Sequence, residues 1–141
     1  MDWRNELNGI MNGRGRMTRA EQENAQFEEF LSSVAMPALQ EIADELRKHN
    51  RDAQVRTAPA SVKLQVLSGE NEEITFSVMK QYVQTGILPK AEVRLNRGTG
   101  PLKYESMFRD DPQNYPIGDV TKDDVIGCFL KFYRQAMSDR P

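Results

Sequence analysis

The feature that most constrains the fold of this chain is a change of hydrophobic period near residue 53. Upstream, Phe27, Phe30, Leu31, Val34, Ala38, Ile42 and Leu46 recur at three- and four-residue steps, which places them on one face of a helix. Downstream, apolar residues fall at every second position: Val62, Leu64 and Val66, then Ile74, Phe76 and Val78, then Ala91, Val93 and Leu95. The residues between them, among them Lys63, Gln65, Glu73, Thr75, Ser77, Glu92, Arg94 and Asn96, are polar. Such alternation predicts strands with one buried and one wet face, the habit of an antiparallel sheet. After residue 121 the helical period returns in Val125, Ile126, Phe129, Leu130, Phe132, Tyr133 and Met137.

Helix, meander, helix is the order this pattern dictates. Two apolar helix faces and one apolar sheet face are buried together most simply in an α+β two-layer sandwich. It would have a long, kinked N-terminal helix, an antiparallel meander of 4-5 strands, a C-terminal helix, and both helices on one sheet face. A chain of 141 residues with 38% hydrophobic and 28% charged residues supports one such core. Residues 18–141 are read as a single domain, and residues 1–17 as a flexible extension ahead of it.

Local signals sharpen the boundaries. Thr18 followed by Glu21 has the spacing of a capping box. Pro37 removes a backbone donor and crowds the carbonyl of Ser33, which predicts a kink or two abutting helices. Asn50 is the expected left-handed cap after Arg47, Lys48 and His49. Residues 53–58 are a candidate edge strand, Ser68-Gly69-Glu70-Asn71 a hairpin connection, and Gly86 to Pro89 a break between strands. Gly98-Thr99-Gly100-Pro101 turns the chain before a last strand over 102–108, and Thr121 caps the final helix.

Chemistry is harder to place. The chain has one histidine, His49, and one cysteine, Cys128, so no histidine triad, zinc-finger set or intrachain disulfide can be written. His49 falls where a helix ends and Cys128 where a helix packs. Asp110, Asp111, Asp119, Asp123 and Asp124 lack the spacing of a calcium loop. Arg97 to Lys103 has glycines between two basic residues, but it leads into a strand and reads as a hairpin turn rather than a phosphate loop. No catalytic, cofactor or metal residues are assigned. An enzyme would have to rest on groups such as Tyr104, Glu105 and Asp111.

Charge narrows the partners. Nineteen basic against twenty-one acidic residues leave a net charge of −2, unlike the basic excess of proteins that bind duplex DNA by neutralising phosphates. The basic residues available for a local nucleic-acid patch are Arg14, Arg16, Arg19, Lys63, Arg94 and Arg97. No apolar run approaches the roughly 20 residues of a membrane span, and the reading is of a soluble cytoplasmic protein.

The strongest binding signal lies in the extension. Trp3, Leu7, Ile10 and Met11 fall on one face of a short helix. An isolated helix this short is marginal in water and needs a surface to fold against, and tryptophan is a frequent anchor at interfaces. The expectation is a non-enzymatic interaction or adaptor domain. Its partner would be another protein or a second copy of the chain, met through the extension and the polar sheet face. A nucleic-acid-associated accessory protein is the alternative.

Overall fold

The structure, a computed structural model, describes residues 3–14, 18–97, 100–109 and 115–138, with the backbone alone at 11–14 and 97. Helix α1 spans Trp3–Arg14. A long helical rod follows, made of α2 (Arg19–Phe30), a π turn (Leu31–Ala35) and α3 (Met36–Arg47). Strands β1 (Asp52–Ala58), β2 (Ser61–Ser68), β3 (Asn71–Val83), β4 (Gly86–Arg97) and β5 (Gly100–Met107) pair in sequence order as an antiparallel meander. A 3₁₀ turn at Ile117–Asp119 leads into α4 (Lys122–Ser138).

The rod shows how the chain absorbs a mid-helix proline. Pro37 has no N–H to give the carbonyl of Ser33, and the turn before it widens instead of breaking. The N–H of Met36 reaches the carbonyl of Leu31, five residues back, the bond that defines a π turn. The hydroxyls of Ser32 and Ser33 bond the carbonyl of Glu29 at 3.2 and 2.6 Å. Thus the expected kink or break is a continuous helix with one extra residue in its middle turn. Its ends follow the sequence signals: the Thr18 hydroxyl accepts from the N–H of Glu21, and Asn50 takes φ 61° after the last turn.

Both parts of the rod and α4 pack on one face of the sheet, as their apolar stripes require. Leu39 and Ile42 of the rod, Val62, Leu64 and Val66 of β2, Ile74, Phe76 and Val78 of β3, Val93 and Leu95 of β4, and Phe129 and Phe132 of α4 belong to one buried core. Phe76 sits at its centre, edge-on to Phe129 at 5.6 Å and to Phe108 at 6.3 Å. Thr121 and Asp124 cap α4 reciprocally: the N–H of Thr121 donates to the Asp124 carboxylate at 2.9 Å, and the N–H of Asp124 donates to the Thr121 hydroxyl at 3.2 Å. First-turn negative charge and capping therefore account for Asp124 without a ligand.

Two local readings of the sequence are corrected. Gly86 to Pro89 does not separate strands but opens β4. The chain reverses at Gln84-Thr85, Val83 faces Gly86, and Pro89 faces Lys80 within the ladder. Strand β5 stops at Met107 opposite Lys90, so Pro89 lies where the outer side of β4 has no strand beside it. There a missing N–H costs no sheet bond.

The second correction concerns Glu73, expected on the wet face with Thr75 and Ser77. Val66 pairs with Ile74 while Leu67 pairs with Glu72, which leaves Glu73 as the extra residue of a β-bulge. A bulge breaks the two-residue alternation and re-aims a side chain. Glu73 is turned to the helix side with no exposed side-chain area, and Glu72 stays on the open face.

Candidate functional site

Among the described residues, three surfaces and one buried cluster group polar or unburied apolar side chains. The first surface is α1. Trp3, Leu7 and Ile10 are 62%, 46% and 57% exposed, and their spacing sets them on one face of the helix. The guanidinium of Arg4 lies 5.1 Å from the Trp3 ring. They form a row of large exposed apolar side chains, whereas the other exposed ones are scattered singly. The side chain of Met11, the fourth residue of the expected stripe, lies outside the described residues.

The second surface is a cleft of about 690 Å³ between α2, the π turn, the start of β4 and residues 115–120. Phe30, Val34, Ile87, Tyr115, Ile117 and Val120 make its apolar walls, and Glu23, Gln26, Glu29, Ser33 and Thr85 its rim. Each wall has a local cause. The helix period brings Glu23, Gln26 and Phe30 to one side of α2, and the π turn shifts Ser33 and Val34 into line with them. Gly86 lets the β3–β4 hairpin turn back against the rod, with φ 141° and its α-carbon close under the Glu23 carboxylate. The Arg19 guanidinium ties the corner, bonding Glu23 at 2.9 Å and the carbonyl of Thr85 at 3.4 Å. Tyr115 closes the far side, where Arg109 stacks 5.9 Å from its ring. Burial raises the Tyr115 phenol above its ordinary value despite the nearby Arg109. Sequence reading missed the cleft because its walls come from three separated stretches of chain, 23–34, 85–88 and 115–120.

The open face of the sheet is the third surface. Sheet register places Lys63, Ser77, Glu92 and Glu105 in one cross-strand row, and Gln65, Thr75, Arg94 and Lys103 in the next. A shallow depression of about 230 Å³ lies between the rows. Two ion pairs lie on this face: Arg94 bonds Glu72 at 2.9 and 3.2 Å, and Lys90 bonds Glu105 at 3.2 Å. Burial acts to raise the Glu72 carboxyl, but bonds from Thr75 and Arg94 outweigh it and hold the group below its ordinary value. The face is a mosaic of both signs.

The buried cluster is centred on Glu73. Arg51, from the turn after α3, donates to its Oε1 at 2.9 Å, and the Tyr133 hydroxyl of α4 donates to the same oxygen at 2.8 Å. The bond to Glu73 raises Arg51 above its ordinary value. Burial first and Glu73 second push the Tyr133 phenol up to about 12. The cluster locks Tyr133 as a protonated donor and clips α3, β3 and α4 together. It is a structural clamp, and it was not legible because the bulge that creates it leaves no simple mark in the sequence.

The remaining residues singled out from the sequence are scattered. Arg19 is on the rod, whereas Lys63 and Arg94 are on the opposite, open face of the sheet. Arg16 and the side chains of Arg14 and Arg97 lie outside the described residues, so no basic patch is assembled among those described. Tyr104 and Glu105 point to opposite sides of β5: Tyr104 packs on Phe132 and accepts from Gln135, while Glu105 pairs with Lys90. Asp110 and Asp111 also lie outside the described residues. His49 is exposed in the turn after α3. The Cys128 thiol is half-buried, and burial raises it above its ordinary value. Among the described residues, no group of three or more His, Cys, Asp or Glu is placed to hold a metal ion, and no helix is long and apolar enough to cross a membrane. No protein-family model, curated protein or solved structure matches the chain.

Proposed function

We propose that this protein is a non-enzymatic interaction or adaptor domain that meets another protein through the apolar face of α1, with the charged mosaic of the open sheet face as a secondary contact. The exposure of Trp3, Leu7 and Ile10 on one helix face carries this reading. Such a stripe suits a helix-in-groove contact, in which residues at helical spacing fill pockets of a partner. The α+β domain then serves as a stable carrier for the helix. A nucleic-acid role has weaker support, because Arg94 is neutralised by Glu72 and lies across the molecule from Arg19.

Affinity purification of the full chain, followed by mass spectrometry, tests the proposal. The chain with Leu7→Asp and Ile10→Asp should lose the partners that the unaltered chain retains, with its domain still folded. Recovery unchanged by these substitutions would remove α1 from the contact. Loss on neutralising Lys63 and Arg94 instead would move the contact to the sheet.

A further inference from the structure

Helix α1 and the cleft beside α2 match one another in register. Ile10, Leu7 and Trp3 lie four, seven and eleven residues before Arg14, the end of α1. Glu23, Gln26 and Phe30 lie four, seven and eleven residues after Arg19, the start of α2. All three of these α2 residues line the cleft. Residues 15–18 join the helices, within the two to five or so residues that connect antiparallel helix pairs. With a rise of about 1.5 Å per residue in both helices, folding α1 back on α2 brings Ile10, Leu7 and Trp3 to the levels of Glu23, Gln26 and Phe30.

We propose that α1 closes over the cleft of its own chain, seating Trp3 beside Phe30 and Val34, with Leu7 and Ile10 toward Gln26 and Glu23. Size agrees: a cleft of about 690 Å³ falls in the range of roughly 300–1,000 Å³ that encloses a drug-sized molecule, room for one indole and two aliphatic side chains. Charge agrees as well. The same register sets Arg4 level with Glu29 on the cleft rim, where opposite charges favour the antiparallel approach. Proximity favours the chain's own helix over a second copy, since a four-residue connection holds α1 at high effective concentration. The cleft and an outside partner then compete for one apolar face. A partner that binds only the released helix shifts the chain toward an arrangement in which Trp3, Leu7 and Ile10 are exposed.

Trp3 is the one tryptophan of the chain, so the fluorescence of the full-length protein reads the seat directly. The expected result is a blue-shifted emission, shielded from acrylamide, that does not change with protein concentration. Emission and quenching of a water-exposed indole would overturn the proposal. So would shielding that appears only as concentration rises, because the occupant would then be a second copy. Leu7→Glu alters α1 alone and should lower the closed-to-open ratio by about tenfold or more, the worth of one buried leucine. Ile117→Glu alters the opposite wall of the cleft and should expose Trp3 equally. Shielding that survives Ile117→Glu would place the indole elsewhere and refute the seat. Partner recovery is a separate readout, so loss of the seat and loss of the partner contact are distinguishable.

Discussion

Replacing Glu73 by alanine should destabilise the domain by about 3 kcal/mol, more than any exposed charge in the molecule. Removing one partner of a buried ion pair costs about 3–5 kcal/mol, because the other charge is left without compensation. Arg51 is 26% exposed and can recover part of its hydration, which lowers its share of the cost. The Tyr133 hydroxyl also loses its acceptor, adding about 1 kcal/mol. Glu73→Gln keeps an acceptor oxygen for both donors and should cost only about 1–2 kcal/mol. For a chain of this length, 3 kcal/mol corresponds to a melting temperature lowered by about 10 °C. Urea unfolding followed by far-ultraviolet circular dichroism measures the change. Circular dichroism is preferred to tryptophan emission, because Trp3 on α1 reports the position of that helix as well as unfolding of the domain. The double variant with Arg51→Ala should show coupling of about 1–2 kcal/mol. A loss below about 0.5 kcal/mol for Glu73→Ala, the range of ordinary surface substitutions, would refute the view that the bulge delivers a buried, clamping carboxylate.

Two further outcomes follow from the same packing. Tyr133 has its ionisation raised from the ordinary 10.0 to about 12, so the folded state holds this proton more tightly than the unfolded one. Its contribution to stability should be complete below pH 10 and disappear as pH rises toward 12; phenolate absorbance should show a late-titrating tyrosine that Tyr133→Phe removes. Burial raises the Cys128 thiol, so a chromogenic disulfide reagent at neutral pH should react with it more slowly than with a free thiol and accelerate on unfolding in urea. Equal rates in the two states would show that the thiol is accessible and unperturbed.

The architecture was legible because it follows from periodicity. Alternation in β2, β3 and β4 and the helical stripes before and after them require three apolar surfaces to share one core, and one layer of helices on one sheet face achieves that. Caps were equally local: Thr18, Asn50 and Thr121 act within a few residues of themselves. Proline was read correctly as a disturbance, but its effect depended on surroundings. Pro37 widened a turn instead of breaking the rod, and Pro89 entered a strand at the one stretch where β4 has no outer neighbour.

Residue chemistry at sites was far less legible, for a reason of dimension. The sequence alone determined which faces are apolar, where the elements start and stop, and that Trp3, Leu7 and Ile10 share one helical face. Only the tertiary structure decided that Glu73 turns inward at a bulge, that Arg51 and Tyr133 meet it across elements 22 and 60 residues away, and that three separated stretches of chain enclose a cleft. Periodicity is written between near neighbours along the chain. Pairing register and interhelical gaps are set by the whole core at once, and no single segment carries them.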